Sequence, residues 1–176
     1  MKAMKILFVL FLFGFIISCS PIYDVKHDYD RQTNFSALKT FDWMQAPQMT
    51  HANSLIVQRI KNAVNAELEA KGLTMTPNNP DFLIAEYHGK KDQVQISDWG
   101  YGRSHRYGYS PVGVSAYEFE EGSLILDFVD PESRKLIWRG SAKAQIDSVD
   151  TPEKREKLIN AAVNEILGMY PPSSSK

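Results

Sequence analysis

Beyond the first twenty or so residues, apolar positions recur along the chain with two different periods. Tyr23, Val25, His27 and Tyr29 alternate with Asp24, Lys26, Asp28 and Asp30. A period of two marks a half-buried strand, because successive side chains point to opposite faces. Phe41 and Trp43 alternate with Thr40 and Asp42 in a second predicted strand, and the turn formers of RQTNFSA lie between the two. From Asn53 or Ser54 to about Lys71 the period becomes helical. Val57, Ile60, Val64 and Leu68 share one face and Gln58, Asn62, Asn65 and Glu69 the other, with Asn53 or Ser54 as cap and Gly72 as stop.

The run Phe82 to Tyr87 is mostly apolar and bounded by Pro80 and Gly89, which predicts a short, well-buried strand. Leu124, Leu126 and Phe128 alternate with Ser123, Ile125 and Asp127, and DPESRK turns the chain back into a further strand. That strand sets Leu136, Trp138, Gly140, Ala142, Ala144 and Ile146 on one face and Lys135, Ile137, Arg139, Ser141, Lys143 and Gln145 on the other. Gly140, Ala142 and Ala144 leave a shallow trough that a helix can approach closely. The last helix supplies it, capped near Thr151 with Pro152 at its first position. Leu158, Ala162 and Ile166 form one row on it, Ile159, Val163 and Leu167 the next, and Pro171-Pro172 ends it before a frayed tail at 173–176. The layout predicts a single α+β domain over 23–172, with a mainly antiparallel or mixed sheet and two helices packed on one face.

The segment ahead of this domain has a different character. Lys2 and Lys5 precede an apolar run, Ile6 to Ile17, broken only by Gly14. Twelve helical residues span only ~18 Å against a hydrocarbon layer of ~30 Å, too short for a membrane span but suited to a signal peptide. The run closes on Ile16-Ile17-Ser18-Cys19 without an A-x-A site. This resembles the bacterial lipobox, which implies that residues 1–18 are a cleaved lipoprotein signal peptide and that Cys19 carries a diacylglycerol. Residues 19–22 are then anchor and short linker. Each buried CH₂ contributes ~0.8 kcal/mol, so two or three acyl chains hold such a protein durably. Ser20, rather than Asp, after the lipidated residue implies the outer membrane, facing the periplasm.

Removal of 1–18 leaves 18 basic and 21 acidic side chains, a formal charge of −3. That balance lacks the basic excess of a nucleic-acid binder. Cys19 is the sole cysteine, so no disulfide supports the fold.

Candidate chemistry is sparse. HDYD at 27–30 groups His27, Asp28 and Asp30, but on an extended strand His27 points away from both carboxylates, so no metal site is expected. There is no G-x-S-x-G elbow, and His51, His88 and His105 have surface or loop contexts. Glu118, Glu120 and Glu121 lie near a strand end, which suggests an exposed acidic turn ahead of a carboxylate pair. The stretch DWGYGRSHRYGYSPVG, residues 98–113, interleaves glycines with Trp99, Tyr101, Arg103, His105, Arg106, Tyr107 and Tyr109. Aromatic faces stack on sugars and arginines hold anions, so it is a candidate ligand-contact loop, or else a mobile connection between strands. No nucleotide fingerprint, cofactor, metal or catalytic residue is expected.

Four segments together resemble the domain-of-unknown-function 4136 family of bacterial lipoproteins: DVKHDYDRQTNFSALKTFDW, KGLTMTPNNPDFLIAEYHG, LIWRGSAKA and AAVNEILGMYPP. The resemblance implies an α+β domain in the cell envelope and carries no catalytic residues. The expected function is a membrane-anchored, non-catalytic binding or accessory module with a membrane-proximal envelope protein or glycan as partner. Two other classes stay open. An envelope hydrolase would use 98–121, and a carrier of a lipid or other amphiphile would need an apolar cavity between sheet and helices.

Overall fold

The structure is a computed structural model that describes residues 22–44, 54–97 and 115–173. The elements are Ile22–Tyr29 (β1), a 3-10 turn at Phe35–Ala37, Thr40–Trp43 (β2), Ser54–Ala70 (α1) and Thr74–Met75 (β3). Phe82–Ser97 (β4), Ser115–Val129 (β5), Leu136–Gln145 (β6) and Pro152–Gly168 (α2) complete the order. They build one six-stranded mixed sheet in the order β1-β6-β5-β4-β2-β3. The ladders from β1 through β4 are antiparallel, and β2 runs parallel to both β4 and β3.

Local chemistry fixes the helix ends as the sequence predicts. Gly72 takes φ +83°, in the left-handed region that glycine tolerates, and closes α1. Thr151 caps α2, its hydroxyl oxygen accepting from the Lys154 amide at 3.2 Å, with Pro152 at the first turn. Both helices press their apolar stripes onto one sheet face. Ile60, Val64 and Leu68 of α1 and Val163, Ile166 and Leu167 of α2 are buried against Phe82, Ile84, Leu126 and Phe128. Aromatic rings fill the middle, with Phe82–Phe128 at 4.6 Å and Phe128–Trp138 at 4.8 Å between centroids. Each such side chain contributes ~1.5–3 kcal/mol by leaving water.

The trough at Gly140 is filled. A Cβ there would lie 2.3 Å from Trp138 Cη2 and 2.5 Å from Ile166 Cγ2, so only glycine permits helix and indole to meet over that strand.

Three strands depart from the predicted pattern. In β1 the register moves from Tyr23↔Lys143 to Lys26↔Ser141, one extra residue, and Asp24 takes φ 54°. This bulge reverses the alternation, so Ile22, Val25 and Tyr29 pack on the core while Tyr23 turns outward and donates to Glu121 Oε2 at 2.9 Å. In β6 a second irregularity at Phe128/Val129 buries Ile137 and exposes Leu136, the inverse of the period-two expectation. The predicted short strand at 82–87 continues through Gly89 to Ser97, where it pairs with Ser115 of β5. Glu120 and Glu121 therefore lie within a paired strand, not in an exposed acidic turn.

Candidate functional site: a cleft between the helices and the sheet

The β4/β5 register decides what the covered face carries. Ile84 pairs with Phe128, Glu86 with Leu126, His88 with Leu124 and Lys90 with Gly122. Paired residues share a face. Along β4 the helix side therefore passes from Phe82 and Ile84 to Glu86, His88 and Lys90. Over the same distance β5 and β6 pass from Phe128 and Trp138 to Gly122, Ala142 and Ala144. Large side chains close one end of the layer interface. Small ones leave the other end open.

The result is a cleft of about 490 Å³. Its floor includes Gly122, Leu124, Ala142 and Ala144, and its walls are Ile56 and Ile60 of α1 and Leu158, Ile159 and Ala162 of α2. Titratable groups lining it are His88, Lys90, Glu120, Lys143 and Arg155. Three of the four basic groups have acidic partners. His88 Nδ1 lies 3.0 Å from Glu86 Oε2, Lys90 Nζ 2.5 Å from Glu120 Oε1 and Lys143 Nζ 3.4 Å from Glu121 Oε1. The hydrogen bond with Glu86 raises the His88 pKa, outweighing the burial that opposes it. Lys90 is likewise raised, by its hydrogen bond with Glu120. Arg155 differs: its Nη2 donates to the Val149 carbonyl at 3.5 Å, and no carboxylate pairs with it among the described residues.

The cleft also lies beside the start of the domain. Ile22, the first residue of β1, pairs with Ala144 on the floor.

Residues 25–172 match the model of a family described as "Domain of unknown function (DUF4136)". The chain belongs to this family. No curated protein sequence matches this DUF4136 chain. Among solved structures it is similar to a PDZ domain protein from Parabacteroides distasonis, at 15% identity and a TM-score of 0.59. The likeness covers 86% of this chain and 36% of that one, so the DUF4136 chain spans about a third of that protein's length. It is also similar to the PelC dodecamer from Paraburkholderia phytofirmans, at 9% identity and a TM-score of 0.44, covering 82% of this chain and 94% of that one. The first likeness shows the fold alone.

The residues singled out in the sequence fare differently. Cys19, His51 and the loop residues Trp99, Tyr101, Arg103, His105, Arg106, Tyr107 and Tyr109 lie outside the described residues, as does the expected signal peptide at 1–18. His88, expected in a surface or loop context, stands half-buried within β4. The HDYD groups diverge. His27 Nδ1 lies 3.2 Å from Met169 Sδ, Asp28 accepts from the Tyr29 amide and Asp30 from the Gln32 amide. Among the described residues no three His, Cys, Asp or Glu side chains gather as metal ligands, and no helix is long and apolar enough to cross a membrane.

Glu86 and Arg155 are not singled out by the sequence, and His88 is expected there only in a surface or loop context. The alternation of Glu86, His88 and Lys90 after Ile84 was the available signal, since it places three charged or titratable groups on the face that Ile84 buries.

Proposed function

We propose that this DUF4136 chain is a lipid-anchored, non-catalytic binding module of a bacterial cell envelope, and that the cleft between helices and sheet is its binding site. One observation carries the reading: the covered face is packed shut around Trp138 yet open for about 490 Å³ over Gly122, Ala142 and Ala144. That volume falls within the ~300–1,000 Å³ of small-molecule sites, and its apolar lining with a few polar groups is their usual composition. The cavity a carrier of amphiphiles requires is therefore on hand. The lipobox supplies the tether at Cys19, and the Ser20 that follows favours the outer membrane with the domain facing the periplasm. A membrane-proximal envelope protein or glycan would then meet the domain close to the bilayer.

The hydrolase reading finds less support. It was drawn on 98–121, of which 98–114 lie outside the described residues, and Ser123, which pairs with Gly89, faces away from Glu86 and His88.

The test is binding of a neutral, environment-sensitive apolar dye to the purified full chain. Leu158→Trp and Ala144→Val, which fill the cleft from a wall and from the floor, are expected to lower dye binding at least several-fold while far-UV circular dichroism is retained. Undiminished binding by both folded variants would remove the cleft as the site. Mass spectrometry of the membrane-extracted chain is expected to show acylation at Cys19 and none after Cys19→Ala.

A further inference from the structure

We infer that the cleft takes a single-chain amphiphile whose anionic head, a carboxylate or a phosphate, is held by Arg155, and that this ligand is drawn from the membrane beside which the domain is tethered. The inference rests on the cleft being the binding site and adds the chemistry of its occupant.

Charge complementarity is the first argument. Lys143 pairs with Ser123 and so turns to the other face, and of the basic side chains on the cleft side His88 and Lys90 are matched by Glu86 and Glu120 while Arg155 is not. A guanidinium with only a carbonyl at 3.5 Å keeps donors to spare, and its planar fork fits a carboxylate or phosphate in two-pronged fashion. Arg155 stands one helical turn from Leu158 and Ile159, so a head held there leaves its tail running along an apolar wall toward Ala162 and Ile60.

Position is the second. Ile22 pairs with Ala144 on the floor, and Cys19 is three residues earlier, at most ~11 Å of extended chain. Acyl chains on Cys19 would therefore hold the cleft near the bilayer. Leu55, in the first turn of α1 next to the wall residue Ile56, is 69% exposed, an apolar side chain presented at the same end of the domain.

The experiment uses the full lipidated chain in phosphatidylcholine nanodiscs doped with photoactivatable probes of one chain length: a fatty acid, a lysophosphatidic acid and the fatty alcohol. Crosslinked peptides are mapped by mass spectrometry. The acid, the phosphate or both are expected to label α2 near Leu158 and Ala162. Arg155→Gln should lower that labelling about tenfold and leave the alcohol within about twofold, as loss of a charge-assisted pair predicts. Labelling by the acid alone or the phosphate alone identifies the source of the anion.

If all three probes label the cleft equally and Arg155→Gln changes none, the anionic head is refuted and the cleft stands as a general apolar site. If no probe labels the cleft and neither Leu158→Trp nor Ala144→Val alters the pattern, the site itself falls. Labelling that appears only in the unlipidated Cys19→Ser chain would show that the protein's own acyl group fills the cleft, which also overturns the inference. Thermal unfolding of each variant identifies those that are folded, and either cleft-filling substitution suffices.

Discussion

Replacing Gly140 with alanine adds one methyl group where the helix layer meets the sheet most closely. The new Cβ would stand 2.3 Å from Trp138 Cη2 and 2.5 Å from Ile166 Cγ2, about 1 Å or more inside the ~3.5–4.0 Å optimum for carbon pairs. Neither neighbour yields easily. Both are fully buried, and the Trp138 ring is flanked by Phe128 at 4.8 Å and Tyr170 at 5.4 Å. Overpacking of a close-packed core costs roughly 1–3 kcal/mol, and two rigid contacts place this site in the upper half. Gly140 has no positive φ, so alanine also restricts the unfolded chain and returns ~0.4–1 kcal/mol. The net expectation is a loss of about 1–2.5 kcal/mol, which lowers Tm by ~2–4 °C per kcal/mol in a domain of this size. Urea unfolding followed by circular dichroism and tryptophan fluorescence measures it, with an unchanged m value. Gly122→Ala is the comparator. Its Cβ meets Ile146 Cγ2 at 2.9 Å, a single close neighbour that is half-buried at the edge of the cleft, so the cost should be smaller than at Gly140. In an Ile166→Ala background the Gly140→Ala penalty should shrink. A Gly140→Ala protein as stable as the parent would refute the close approach described.

Because the folded pKa of His88 lies above the ordinary 6.5, its stabilisation is complete below that value and disappears as pH rises through the folded pKa. Parent and His88→Gln stabilities should therefore converge as pH rises above about 6.5, and parallel curves would dismiss the Glu86 pairing. Asp127 is 5% exposed and accepts from Arg139 Nε and Nη2, each at 2.6 Å. Arg139→Leu strands that carboxylate and should cost about 2 kcal/mol in urea, reduced from the ~3–5 of a fully buried pair because half of Arg139 faces water. Asp127→Asn in the same chain should recover part of the loss. Gly72→Ala forces φ +83° on an L residue with no atom within 4 Å of the new Cβ, so a loss of about 1 kcal/mol by thermal unfolding should arise from the backbone alone.

Both helices were legible because their stops and caps coincide with the periodic stripes: Gly72 after Leu68, and Thr151-Pro152 before Leu158. The strands were legible only where alternation is unbroken. A bulge near Asp24 and another at Ile137 each shift the chain by one residue, and one residue reverses inside and outside, so Tyr23 and Leu136 were assigned to the wrong face. Beyond Gly89 the strand was hidden by its own chemistry, since the helix side of β4 carries Glu86, His88 and Lys90 where a core strand shows apolar residues. The trough of small residues was visible, and its filled end at Gly140 was anticipated. That its other end stays open depends on the β4, β5 and β6 registers together with where two helices stop covering them, which no single segment encodes.

The partnership of β1 with β6 imposes an order on assembly. Ile22 and Ala144 sit side by side although they stand 122 positions apart in the sequence, while the β4–β5 and β5–β6 hairpins close from neighbouring sequence. Made in the direction of synthesis, the strand nearest Cys19 waits with bare amides and carbonyls until residues 136–145 emerge. Any product ending before Leu136 keeps that edge permanently unmatched, an invitation to recruit a foreign strand. Prematurely terminated chains should therefore collect as aggregates or be degraded, and the folded pool should hold only protein carried through β6.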